Sequence, residues 1–198
     1  MTQYYYVFAV IINMTEQELA RRCAHGDNEA RRELYLTYGT RVRALCRRYA
    51  GNASEADDLM HDAFIKIFRV IDRFVWTRPG SLYSWMSRVA INMVFDSAKL
   101  KKKLAREIMD VEDLVDMASD EPGGEETETI PFDVLKEMIE ALPEGYRTVF
   151  KLHYIDNLSH KEIASLLGIK ENSSSASLTR ARASLAGAIK KYLEDNTQ

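Results

Sequence analysis

Cysteine occurs only twice in the 198 residues, at Cys23 and Cys46, and there are four prolines and nine glycines. Two thiols cannot build a disulfide scaffold, and they match no zinc-ligand spacing. They fit small core residues of a protein kept in a reducing cytoplasm. So little Pro and Gly excludes a turn-rich all-β protein, and the period-two alternation of half-buried strands is missing throughout. Long hydrophobic runs are missing too. The longest, Tyr4 to Ile12, is too short to span a bilayer, and no Lys or Arg precedes it to make a secretory signal. That run has the composition of an aggregation-prone strand. Because the amphipathic pattern starts only at Thr15, residues 1–13 are expected to be an extension upstream of a natural start at Met14. A hydrophobic content of 46% with 29% charged residues excludes a chain disordered throughout.

The net charge of −3 hides a partition. Residues 107–133 hold eleven carboxylates and no Lys or Arg, which leaves nineteen acidic against twenty-seven basic residues elsewhere. Two basic segments therefore flank an acidic connector interrupted by Pro122-Gly123-Gly124. Such a block cannot neutralise itself and reads as an extended linker. A solubilising tether is the plain interpretation. Its place between two basic lobes suits a partner with both phosphate-bearing and cation-lined surfaces.

The remaining signal is helical. Thr15 with Glu18 predicts a capped start, and Leu19 and Cys23 make a short buried stripe. Asp27 caps a helix whose apolar positions are Leu34, Tyr35, Tyr38, Val42, Leu45, Cys46 and Tyr49. Ser54 with Asp57 opens a third helix carrying Leu59, Met60, Ala63, Phe64, Ile67 and Ile71 on one face. After the loop RFVWTRPG, Ser81 caps a fourth, with Leu82, Trp85, Met86, Val89, Met93 and Val94 inward, running on into Lys99, Lys101, Lys102, Lys103 and Arg106. Beyond the acidic block, Phe132 to Leu142 and Pro143 to Ile155 read as helices, with Tyr146, Phe150 and Tyr154 as core. Ser159 to Glu162 forms a capping box before Ile163, Ala164, Leu166 and Leu167. Gly168 is a stop, residues 169–172 a turn, and Ser173 the N-cap of a long last helix. Helix, Gly-containing turn and helix with small Ala164 at the crossing predict a helix-turn-helix. Arg180, Arg182, Lys190 and Lys191 give its last helix a phosphate-facing side. The expected fold is all-α.

Two other chemistries fit parts of this pattern. Asp57, Asp58, His61 and Asp62, spaced one and four residues apart, could hold Mg²⁺ in an all-helical enzyme. That requires a second ligand cluster on a facing helix. Asp27, Glu29 and Glu33 lie among arginines and do not supply one, so no metal and no cofactor are expected. A helix-turn-helix regulator acting without a polymerase is the nearest DNA-binding alternative. In its response-regulator form it would need an α/β receiver domain, which residues 15–104 lack.

Three stretches in this order carry a resemblance: EADDLMHDAFIKIF (Glu55 to Phe68), GSLYSWMSRVAINMVFDSAKLKKK (Gly80 to Lys103), and LPEGYRTVFKLHYIDNLSHKEIASLLGIKENSSSASLTRAR (Leu142 to Arg182). With them the chain resembles the extracytoplasmic-function (ECF) sigma factors, the small two-domain class of bacterial RNA polymerase specificity subunits, over about residues 15–193. The resemblance implies domain two over residues 14–104, an acidic linker over 105–131 and domain four over 132–198. It implies docking on core RNA polymerase through Asp57, Asp58, His61, Asp62 and Lys66. Minus-ten promoter contacts fall on Arg73, Trp76, Arg78, Ser81, Arg88, Asn92 and Lys99. Minus-thirty-five contacts fall on Ser173, Ser174, Ser175, Ser177, Thr179, Arg180 and Arg182. It further implies no activity as an enzyme, no small-molecule substrate, and promoter DNA and an anti-sigma factor as partners. The location implied is cytoplasmic, with the anti-sigma factor able to hold the protein at the inner membrane. Two departures stand out. His61 replaces a usual Gln while keeping hydrogen-bonding capacity, and the run Ser173-Ser174-Ser175 lacks the long side chains usual in the recognition helix.

Overall fold

The computed structural model describes residues 15–96, 98–109 and 130–196, and all regular structure among them is helical. The expected extension over residues 1–13 and most of the acidic linker lie outside the described residues. Packing divides the chain into two units at Val94/Phe95.

The first unit contains α1 (Glu16–Ala24), α2 (Asn28–Arg47), α3 (Ala53–Val70), a 3₁₀ turn (Ile71–Arg73) and α4 (Ser81–Val94). Each start has a local cause. Thr15 Oγ accepts the Glu18 N–H at 3.2 Å. Asp27 accepts from Glu29 N and Ala30 N at 2.9 and 3.1 Å. These backbone N–H groups, Ala30's first, together with Arg22 hold the Asp27 carboxyl below its usual range. α3 is capped by Asn52, which accepts from Glu55 N at 2.9 Å, and not by the expected Ser54. Gly51 N–H in turn donates to the Glu55 carboxylate at 2.6 Å, so the cap closes two residues early. α2 and α3 run antiparallel, with Tyr35 against Phe64 at 4.7 Å and the Arg31 guanidinium 5.7 Å over Phe68. Leu34, Val42, Leu45, Ala63, Ile67, Leu82, Met86 and Ala90 are fully enclosed. Truncating a leucine here to alanine would cost about 2–5 kcal/mol. Both cysteines are buried and unpaired, and burial pushes each thiol up to about 11.

The second unit holds α5 (Ala98–Met109), α6 (Phe132–Glu140), α7 (Glu144–Phe150) continued by one π-helical turn (Lys151–Ile155), α8 (His160–Leu167) and α9 (Glu171–Asn196). The fourth helix was expected to run unbroken into the lysines. It stops at Val94, and Phe95 is buried before α5 begins. The unit boundary at Val94/Phe95 falls ten residues before residue 104, so α5 packs with the C-terminal unit. Its Leu104 and Ile108 are enclosed, and Lys103 pairs with Glu144. Leu142, Tyr146, Ala181 and Leu185 form a core cluster, with Met138, Ile139 and Phe150 against it. Tyr154, expected in that core, is exposed on the π-helical turn.

The helix-turn-helix has the expected capping box, with Ser159 N–H to Glu162 Oε2 at 2.9 Å and Glu162 N–H to Ser159 Oγ at 3.3 Å. Gly168 takes a left-handed φ of 72°, which is why glycine stands there. Ile163, Leu167 and Leu178 are buried between the two helices. The last helix begins at Glu171, two residues ahead of the expected cap at Ser173.

Candidate functional site

Three exposed surfaces carry the residues singled out above. On α3, Asp58, His61 and Asp62 are exposed and Lys66 is half-buried. Asp57 is not free. Arg43 Nη2 donates to its Oδ2 at 3.2 Å, with a second bond from Nε to Oδ1, and the arginine holds the carboxyl below its usual range. No group of three or more His, Cys, Asp or Glu that could hold a metal ion occurs among the described residues. Two further residues join this face. Ile65, one turn beyond Asp62, is 57% exposed, and Leu36 on α2 is 61% exposed. Each follows a residue of the Tyr35–Phe64 contact, so antiparallel register turns both toward the same outer side. Neither fits the apolar stripe of its helix, and that mismatch was the available signal.

The second surface joins the loop before α4 to the outer face of that helix. Val75 and Trp76 are 75% and 40% exposed, and Arg73 and Arg78 are exposed as well. Ser81 is half-buried, its Oγ accepting from Thr77 N–H at 3.4 Å. Ser84, Arg88 and Asn92 are exposed four residues apart, although the Asn92 amide donates to the Arg88 carbonyl at 2.8 Å. Trp85, expected in the core, is half-buried with its ring 5.7 Å from Phe74. The backbone of Lys99 lies on α5, which belongs to the second unit, whereas the rest of its expected set belongs to the first.

The third surface is the first half of α9, and here the expected set splits. Ser173, Ser174 and Ser177 are buried. Ser177 Oγ donates to the Ser173 carbonyl at 2.7 Å, and Ser174 Oγ lies 3.0 Å from His160 Nδ1 of α8. All three serines are turned into the fold in this structure, and Ser174 meets the neighbouring helix. Ser175, Thr179 and Arg182 are exposed and Arg180 is half-buried. The early start of α9 adds Asn172, which stands on one outer stripe with Ser175, Thr179 and Arg182. Sequence spacing alone puts Asn172 in the turn, outside the set expected to face DNA.

The family model described as Sigma-70 region 2 matches residues 34–104, and Sigma-70, region 4 matches residues 132–185. The chain is 30% identical over 197 aligned residues to the ECF RNA polymerase sigma factor SigW of Bacillus subtilis, covering 93% of this chain and all of that one. It is 26% identical over 196 residues to the ECF RNA polymerase sigma-E factor of Escherichia coli, covering 91% and 97%. Among solved structures it is similar to CnrH in complex with the cytosolic domain of CnrY, at 21% identity and a TM-score of 0.49, covering 87% and 96%.

Proposed function

The chain belongs to the ECF RNA polymerase sigma factor family, and from that membership we propose how its surfaces divide the work. It is an RNA polymerase sigma factor. The first unit docks on core polymerase through Asp58, His61, Asp62 and Lys66 with Ile65 and Leu36 beside them. An apolar pair bordered by charge suits a partner helix, because charge sets register and encounter while burial supplies affinity. Asp57 serves by fixing α2 to α3 through Arg43. Trp76 and the arginines around it receive the minus-ten element, where an unpaired base held out of the stack needs an aromatic platform and phosphate contacts. Arg88 and Asn92 extend that surface along α4.

The helix-turn-helix approaches the minus-thirty-five element with Asn172, Ser175, Thr179 and Arg182 outward. With one amide and two hydroxyls as the only short polar side chains beside a single arginine, phosphate contacts contribute more to its affinity than base contacts do. The protein is not itself an enzyme; it lends promoter choice to one. It works in the cytoplasm with core polymerase and promoter DNA, and an anti-sigma factor is its regulatory partner. Among the described residues, no helix is long and apolar enough to cross a membrane.

The observation that supports this reading best is the order of the two matched regions along one chain, each with an exposed polar helix face. The test is run-off transcription on genomic fragments with purified core polymerase. Starts that appear only when the protein is added support the assignment, and absence of any such start with competent core enzyme overturns it.

A further inference from the structure

We propose that Glu16 is a positioning residue that latches the loop before α4 in the shape that presents Trp76; the inference rests on reading that loop as the minus-ten surface. Glu16 lies in the first turn of α1, sixty-four residues from the loop's end in sequence. Its two carboxylate oxygens serve two different elements. Oε2 accepts the Gly80 N–H at 2.9 Å, and Oε1 accepts the Tyr38 hydroxyl at 3.1 Å. Gly80 is where the loop turns into α4, with a φ of +84°. Its N–H has no helical partner, and a carboxylate there also meets the positive end of the α4 dipole.

The second bond reaches the same helix by another route. Tyr38 is buried, and burial together with Glu16 pushes its phenol up to about 12, so it remains a donor. Its ring stacks on Tyr83 of α4 at 6.0 Å and 16°, and the Arg41 guanidinium lies 3.5 Å from the Tyr83 centroid. One carboxylate thus fixes the start of α4 through its backbone and through an aromatic pair. The other end of the loop is held by Phe74, whose N–H bonds the Ile71 carbonyl at 3.0 Å and whose ring contacts Trp85. Between these anchors stand Val75 and Trp76, outward and apolar. A loop pinned at both ends loses little freedom when a base stacks on it, so its affinity depends on the pins.

The test compares Glu16→Ala, Glu16→Gln, Trp76→Ala and the double Glu16→Ala/Trp76→Ala protein in reconstituted holoenzyme. The readouts are binding of a fluorescent minus-ten single strand, affinity for core polymerase, and the thermal midpoint. Glu16→Ala should weaken strand binding about five- to tenfold, with core affinity unchanged, and should add nothing in the Trp76→Ala background. Glu16→Gln should recover much of the loss, because its carbonyl can still accept from Gly80 and its amide can donate to the Tyr38 oxygen. Equal loss of core affinity, or full additivity with Trp76→Ala, would overturn the latch. If Trp76→Ala leaves strand binding intact, the loop is not the minus-ten reader, and the inference falls with that reading.

Discussion

His160 stands at the first turn of α8 with its ring parallel to His153, centroids 4.8 Å apart and planes within 6°. His153 Nδ1 lies 2.9 Å from the Leu158 carbonyl, which can only accept, so that nitrogen carries the proton. His160 Nδ1 meets Ser174, one of the buried serines of the last helix. Burial, then the neighbouring His153, hold His160 below its ordinary value of 6.5, with Glu171 opposing. A depressed folded value means that the unfolded chain binds the proton more readily. The stability this neutral imidazole supplies is therefore complete above that ordinary value and is lost as pH falls through it toward the folded value. Thermal unfolding of the full chain from about pH 7.5 to about pH 5.5 should show a falling midpoint, and His160→Gln should flatten that slope. Parallel slopes would show that other groups carry the pH dependence. The serine run was legible as composition and not as direction. Ser173, Ser174 and Ser177 have the spacing of a buried helix face, but serine gives no hydropathy signal, and only packing against α8 reveals which side faces inward.

At the scale of elements, most of the pattern was readable because amphipathic spacing and caps are local. Thr15, Asp27, Ser159 and Gly168 perform as their sequence contexts require. The lysine-rich helix was different, since its partner lies far along the chain. A run such as AKLKKKLAREI has a stripe at Leu104 and Ile108, but nothing local says which unit receives it. The receiving point is Gly145, where an added Cβ would come 2.9 Å from Ile108 Cγ1 and 3.6 Å from the Ile108 backbone nitrogen. Gly145→Ala should therefore loosen α5 on α7, costing about 1–3 kcal/mol as an overpacked contact does. It should also raise amide exchange over 98–109 while leaving exchange over 160–196 near its wild-type rate. Unchanged exchange would mean that the Ile108 side chain moves aside. On α3 the expectation is opposite in kind. Asp58→Lys with Asp62→Lys alters only exposed positions, so the thermal midpoint should hold while capture of core polymerase is lost. Retained capture would place the docking surface on another face.

The whole molecule is defined by its charge partition more than by any single contact. Nine of the eleven carboxylates of the acidic block lie within residues 110–129, and that stretch contains no cation. Its flanks are committed elsewhere, with Ile108 and Ile130 buried and Glu107 4.0 Å from Lys103. A fair test of the block therefore leaves both flanks in place and replaces residues 110–129 by Gly/Ser of equal length. Like charges kept together repel one another, and the repulsion is relieved when a cation-lined channel receives them. The polymerase provides such surfaces wherever it binds nucleic acid, so the neutral variant should dock on core enzyme as well as wild type but give fewer open complexes and a changed ratio of abortive to full-length transcripts. Its sensitivity to salt should fall in the same experiment, because the contacts removed are ionic and screened over about 10 Å at 0.1 M. A purely mechanical tether makes the contrary prediction: equal open-complex yield, equal product ratios and the same salt dependence on one promoter. Those three equalities together would reduce the acidic block to a spacer whose length, and not its charge, is what initiation uses.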